Sequence, residues 1–259
     1  MTNRIKELFQ KKEKNILSVF CTAGFPELNS IVPILVELQN NGVDMVEIGM
    51  PFSDPTADGP VIQYSNTIAI NNGMMLKTLF EQLKSIRSQI NIPLVLMGYF
   101  NPVYQYGIDN FLKDAQACGI DGIIIPDLPM YEYETMYQST FEAHQLQNIF
   151  LVTPQTSEAR IRKIDALTDA FIYVVSSNAI TGGTSNIQEN QERYFQYIKS
   201  LNLKNPTLIG FGIKDKSTFE TACKYANGAI IGTAFINAID KSSNLTKDIS
   251  QFIRNIKTV

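Results

Sequence analysis

The sequence predicts an α/β fold, a single (β/α)8 TIM barrel with an N-terminal helix and an inserted helix after strand two. Three observations carry that expectation. Eight short, β-rich apolar runs recur along the 259 residues. Segments with helical apolar spacing lie between them. The runs lack strict polar/apolar alternation, as parallel strands buried on both faces do. Eight such βα units in series suit a closed barrel. A doubly wound sheet fits less well. It usually needs fewer strands and a Gly-rich turn after the first, and FCTAGFP offers one glycine there. Closed α/β barrels often run about 200–250 residues as one domain. No linker, low-complexity tract or strong internal repeat divides the chain, so one domain is expected over 1–259.

The elements follow in order. The opening MTNRIKELFQKKEK is charged throughout and has no apolar signal core. Strand one is ILSVFCTAG (Ile16–Gly24). SIVPILVELQNNG follows as a helix with Ile31, Leu35, Val36 and Leu38 apolar, stopping at a glycine. Strand two is MVEIGMP (Met45–Pro51). The gap to strand three is long, and Gln63 to Gly73 reads as an inserted helix behind the SDPTADGP loop. LKTLFEQLKSIRSQI (Leu76–Ile90) places Leu79, Phe80, Leu83 and Ile86 on one face. PLVLMGY and GIIIPDLP are strands three and four, separated by a helix ending at Gly119, a position suited to a left-handed cap. NIFLVTP, FIYVVSS, PTLIGFGI and GAIIGTAF are strands five to eight, and TKDISQFIRNIK closes the chain.

Composition excludes several classes. A net charge of -3 and the lack of a Lys/Arg stripe argue against nucleic-acid binding. No apolar run approaches the roughly 18–20 residues of a membrane span. Cys21, Cys118 and Cys223 are odd in number and lack CxxC spacing, which fits a reduced, cytoplasmic protein. The single histidine, His144, falls on a predicted helix, so a His-rich metal site is impossible. No lysine sits within a predicted strand end, although Lys214 just follows strand seven; a Schiff-base mechanism is disfavoured. Serine and threonine hydroxyls lack a histidine for a nucleophilic triad. Carboxylate acid–base chemistry remains.

Barrel active sites collect at the C-terminal ends of the strands. Those ends carry Glu47, Asp58 on the next loop, Tyr99, Asn101, Asp127 and Tyr173. Glu47 stands out because burying a carboxylate within an apolar run is costly. Burial raises its pKa and suits it to donate a proton near neutral pH. A structural ion pair is the competing explanation. Asp54 and Asp58 share a loop with Pro51, Pro55, Gly59 and Pro60, where aspartates commonly form turns. One can face a ligand while the other fixes the turn. Glycine-rich turns follow strands six to eight: ITGG (Ile180–Gly183), GFG (Gly210–Gly212) and GTAF (Gly232–Phe235). They let backbone N–H groups approach an anion, and phosphate sites in barrels recur after strands seven and eight. Tight strand-to-helix turns explain the same glycines without a ligand. Phe20, Met97, Ile125 and Tyr173 would line an apolar pocket, or simply pack. The ligand sketched is flat and apolar with a phosphate tail.

VEIGMPFSDPTADGPVIQ closely resembles the signature of the tryptophan synthase alpha subunit family. FCTAGFP, LMGYFNPVYQYG, GIIIPDLP, YVVSSNAITG, GFGI and GAIIGTA fall in the family's order and spacing, so the resemblance covers nearly the whole chain. It implies a lyase that cleaves indole-3-glycerol phosphate into indole and glyceraldehyde 3-phosphate. It implies no organic cofactor or metal in this subunit. The partner would be a beta subunit that carries pyridoxal phosphate (PLP), in an alpha2beta2 heterotetramer. By resemblance Glu47 is the general acid and Asp58 accepts the indole N–H. Tyr173 positions glutamate and substrate, Phe20 lines the site, and Gly182, Gly212, Gly232 and Thr233 cradle phosphate. Thr181 belongs to the strand-six lid that closes toward Asp58. The loops at Asp54–Pro55 and Asn101–Pro102 match surfaces that meet the beta subunit. The sequence departs from the family at four places. Thr233 stands for a usual serine but keeps the hydroxyl. Ala179 stands for a common glycine, Phe25 for a usual aspartate and Thr56 for a common leucine.

Overall fold

The computed structural model describes residues 3–176, 184–210 and 212–257, with the side chains of 184–188 excepted. Its strands are β1 (Ile16–Thr22), β2 (Met45–Gly49), β3 (Leu94–Met97), β4 (Gly122–Ile124), β5 (Gln147–Asn148), β6 (Leu151–Val152), β7 (Ile172–Val175), β8 (Thr207–Gly210) and β9 (Gly228–Ile231). They form one sheet in the order β5-β4-β3-β2-β1-β9-β8-β7-β6. Every pairing is parallel. The eight expected strands are all present, but the fifth is divided into β5 and β6. Only Ile149 and Phe150 separate the halves. The Ile149 N–H donates to the Ile123 carbonyl at 2.9 Å, and the Phe150 carbonyl accepts from the Tyr173 N–H at 3.0 Å. The first half of this strand therefore bonds to one neighbour and the second half to the other. Barrel strands are tilted and staggered, so the two ladders engage different residues of the shared strand. That strand closes the barrel.

Alternation along each strand sorts the core into two layers. Ile16, Met45, Val95, Ile124 and Leu208 pack with one another inside the barrel. Leu17, Val46, Leu96, Ile123 and Ile125 pack in the layer that also takes the surrounding helices. The N-terminal helix Arg4–Lys11 is capped by Asn3, whose side chain accepts from the Ile5 N–H. Ile5, fully buried, belongs to the inner layer, so this helix plugs the N-terminal end of the barrel.

Helix positions follow the sequence with small shifts. Helix Ile31–Asn40 buries Ile34 where Val36 was expected, and Gly42 ends it at φ 78. The left-handed region costs a glycine little. The inserted helix runs from Pro60 to Asn71, starting three residues before the expected Gln63, because Gly59 caps it and Pro60 fills its first position. The expected helix over 76–90 divides into Leu76–Leu83 and a 3-10 turn at Ile86–Ser88, yet Leu79, Phe80, Leu83 and Ile86 are all buried as expected. Phe25, where the family usually has aspartate, is a core residue. Its ring is 1% exposed and meets Tyr64 of the inserted helix edge-on at 6.2 Å. Among the described residues no helix is long and apolar enough to cross a membrane.

Candidate active site

A cavity of about 450 Å³ opens at the C-terminal end of the strands. Phe20, Met97, Tyr173 and Ile230 line it from the strands. Asp58 to Ile62 line it from the inserted loop and helix, Gly212 to Lys214 from the turn after β8, and Gly232 to Ala234 with Asn237 from the segment after β9. Of the residues expected at the site, Phe20, Asp58, Tyr173, Gly212, Gly232 and Thr233 are thus brought together. Thr181 and Gly182 lie outside the described residues, as does Ala179. Ile125 does not join the cavity. The inward position on β4 is Ile124, and a one-residue step along a strand reverses the face.

Two glycines make the pocket walls possible. A Cβ on Gly49 would collide with the Phe20 ring, and one on Gly210 with the Tyr173 ring. Gly210 therefore serves packing. Gly212, at φ 77, serves the backbone turn and itself lines the cavity.

Glu47 does not line the cavity. It is fully buried at the centre of β2, in register with Phe20 on β1. Its charge also raises the pKa of Tyr173, after the larger effect of that tyrosine's own burial. Glu47 therefore lies close to Phe20 and Tyr173, two side chains that do face the cavity. The Ser18 hydroxyl donates to Oε1 at 3.2 Å, a long hydrogen bond. Oε2 is buried with no hydrogen-bond partner among the described residues. No ion pair reaches Glu47 there, so the structural ion-pair explanation finds no partner. Burial pushes its pKa from the ordinary 4.5 up to about 8, with Ser18 pulling slightly the other way. Near neutral pH it is mainly a carboxylic acid.

Asp58 is held differently. The Asp58 N–H donates to the Pro55 carbonyl at 3.0 Å, and Gln63 Nε2 donates to the Asp58 carbonyl at 2.9 Å. The Tyr99 hydroxyl donates to Asp58 Oδ2 at 3.1 Å and accepts from the Ala57 N–H at 3.0 Å. Burial raises the Asp58 pKa and the Tyr99 bond opposes that rise. Asp54 is the turn former of the pair. It is exposed, its carbonyl accepts from the Thr56 N–H, and its carboxylate accepts from Ser53 Oγ. Asn66 of the inserted helix fixes the loop's start by accepting from the Phe52 N–H.

Asp127 does not line the cavity, although its charge is felt at Tyr99, where it adds to the larger effects of burial and Asp58 in raising that tyrosine's pKa. Its carboxylate is exposed and accepts from the Phe100 N–H at 2.8 Å, which ties the loop after β4 to the helix after β3. His144 makes surface contacts with Asp109 and Gln116. Ser18, the Tyr99–Asp58 bond, Lys214 and Asn237 were not read from the sequence as site features. An inward serine two residues before Phe20, on a strand beside Glu47, is the signal that would have found Ser18.

Fold and cavity together define the class: a (β/α)8-barrel enzyme with its site at the C-terminal ends of the strands. Known proteins narrow this. The family model described as tryptophan synthase alpha chain matches residues 6–258. A tryptophan synthase alpha chain of Flavobacterium psychrophilum is 54% identical over 254 residues, covering 98% of this chain and 99% of that one. One from Christiangramia forsetii is 51% identical over 257 residues, covering 99% of each. A crystal structure of the alpha subunit from Legionella pneumophila superposes with a TM-score of 0.89 at 31% identity, covering 100% of this chain and 98% of that one. A tryptophan synthase complex from Pyrococcus furiosus contains a chain that matches with a TM-score of 0.85 at 29% identity, covering 96% and 100%. This chain belongs to the tryptophan synthase alpha chain family.

Proposed function

We propose that this chain is the alpha subunit of a tryptophan synthase, a lyase that cleaves indole-3-glycerol phosphate into indole and glyceraldehyde 3-phosphate. Residues 1–259 act as one barrel domain. The observation that carries the mechanism is a carboxyl group buried among apolar strands and short of partners, an environment that pushes its pKa up. Glu47 gives its proton to the indole carbon bearing the glycerol chain. The ring becomes a cationic electron sink. The hydroxyl on the adjacent side-chain carbon then loses its proton, which the Glu47 carboxylate can accept. The carbon–carbon bond breaks, its electron pair returns to the ring, and an aldehyde forms. Asp58 accepts the indole N–H, and that bond strengthens as positive charge develops on the ring. Contacts stronger in the transition state than in the ground state accelerate the step. Tyr99 holds Asp58 in place.

Because Glu47 is fully buried and does not line the cavity, contact with substrate requires its side chain or a neighbouring side chain to move. Gly212, Gly232 and Thr233, with Thr181 and Gly182 from the strand-six turn, receive the phosphate. The subunit works without a cofactor of its own. Indole passes to a PLP-dependent beta subunit in an alpha2beta2 assembly in the cytoplasm. The exposed Asp54 loop and the helix carrying Asn101 and Pro102 contribute to that contact.

The test is indole release from indole-3-glycerol phosphate by the purified chain, with and without a beta subunit, and with Glu47→Gln alongside. Release by wild type, stimulation by the partner and loss in the variant support the proposal. Silence of folded protein in both settings overturns it and favours a non-catalytic phosphate-binding barrel.

A further inference from the structure

We propose that Lys214 is a substrate-binding residue, whose ammonium group pairs with the phosphate of the ligand and selects phosphorylated over neutral substrates. The inference rests on the reaction proposed above but is separable from it.

Among the described residues that line the cavity, Asp58 carries the one carboxylate and Lys214 the one cationic side chain. The two charges lie on different elements. Asp58 is on the loop after β2, and Lys214 follows Gly212 and Ile213 in the turn after β8. Gly212, Gly232 and Thr233 line the same cavity and are the phosphate contacts of the function proposed above. Backbone N–H groups alone leave the net charge of a phosphate dianion unbalanced in a largely apolar cavity, where the penalty for an unpaired charge is high. A cation at that rim offsets it.

Lys214 is exposed, and its charge acts on the neighbouring Asp215 carboxylate, whose pKa it helps to lower after the larger effect of the Thr218 bonds. Among the described residues its ammonium has no ion pair or hydrogen bond. Its neighbour Asp215 is occupied as a helix cap, accepting from the Thr218 N–H at 2.9 Å and from Thr218 Oγ1 at 2.8 Å. The next lysine along, Lys216, is directed to Glu220 on its own helix at 3.7 Å. The same cap fixes the backbone beneath Lys214, whose N–H donates to Thr218 Oγ1 at 3.0 Å. A charged stem of four carbons thus rises from a fixed base, solvated in the free protein and within reach of a bound anion. The sequence reading considered Lys214 only as a Schiff-base nucleophile. An exposed position suits a side chain that binds an anion by charge.

Lys214→Met keeps the stem and removes the charge; Lys214→Arg keeps the charge. The expected result for Lys214→Met is a KM for indole-3-glycerol phosphate raised about tenfold with kcat within twofold of wild type, the pattern of lost uniform binding. Inhibition by inorganic phosphate weakens in parallel. The rise of KM with added salt, which screens exposed charge pairs, flattens in the variant. Lys214→Arg restores most of the affinity and the salt dependence. An unchanged KM and unchanged phosphate inhibition in Lys214→Met overturns the proposal. So does a fall in kcat at constant KM, which would assign the residue to catalysis or closure. If wild type releases no indole, the reaction is wrong, and calorimetry with glycerol 3-phosphate still tests the lysine. Equal affinity of wild type and Lys214→Met for that anion then overturns the inference by itself.

Discussion

Two buried acids sit in this barrel, one just before a strand at the N-terminal end and one in the middle of a strand, and the protein treats them in opposite ways. Asp121, just before β4 at the N-terminal end, is fully engaged. Arg4 donates to one carboxylate oxygen at 3.0 Å, and Arg87 at 2.5 Å and the Leu94 N–H at 2.9 Å donate to the other. This cluster ties the N-terminal helix to the strands it plugs. Glu47, in the middle of β2, has among the described residues one long bond from a serine and one oxygen with no partner. Burial is similar, at 5% and 0% exposure, so burial does not separate the roles. The surrounding donors do. A carboxyl surrounded by donors is locked in a structural cluster. One denied donors keeps its proton and can deliver it.

The comparison is most easily broken at Glu47 itself. Glu47→Gln keeps the shape and removes the proton, and we expect kcat to fall by about 10³-fold or more, within the usual range for a general acid. Stability should move the other way with pH. The folded-state pKa is raised, so the unfolded chain ionises first as pH rises, and wild type loses stability between pH 4.5 and about 8. The glutamine variant does not titrate. Thermal unfolding should show it gaining on wild type across that window, and parallel pH profiles would refute the burial argument. Asp121→Ala should do the reverse. It strands Arg87 without its anion, at a cost of about 3 kcal/mol in denaturant unfolding, while kcat per folded molecule stays at the wild-type value. A fall in kcat there would blur the division between the two acids.

Smaller changes sharpen it. Asp58→Asn should lower kcat by about 10²-fold, as loss of one transition-state hydrogen-bonding group does. Loss of folding instead would make Asp58 a turn former first. Tyr99→Phe removes the hydroxyl that holds Asp58 and should cost about tenfold in kcat with KM little changed, roughly one charge-assisted hydrogen bond. Ser18→Ala removes the last donor to Glu47. The alkaline limb of the rate profile should shift to higher pH, and an unmoved limb would show that the long Ser18 contact does nothing in solution.

Much of this was legible in the sequence because it depends on period and composition. Strand positions follow from apolar runs, and Glu47 was conspicuous because an acid rarely interrupts one. The glycine-rich turns pointed to the cavity's far end. What the sequence hid depends on distance along the chain. The Asp121 cluster joins residues 117 positions apart from Arg4 and 34 from Arg87, with no local pattern to mark it. The division of the fifth strand reflects barrel stagger, which no single run encodes. Ile125 was misplaced because an unbroken apolar run such as GIIIP has no internal mark of which residues face inward. Phe25, unexplained as a departure from the family, becomes clear once the inserted helix brings Tyr64 against it.

The most direct test of the account is the ionisation of Glu47 in the folded protein. It can be read as the protonated-carboxyl infrared band that is present in wild type and absent in Glu47→Gln, followed from acid to alkaline pH. The account predicts a band that persists through neutral pH and is lost with a midpoint near 8. A midpoint at the ordinary glutamate value would contradict it, since Glu47 would then be ionised at neutral pH and not the proton donor.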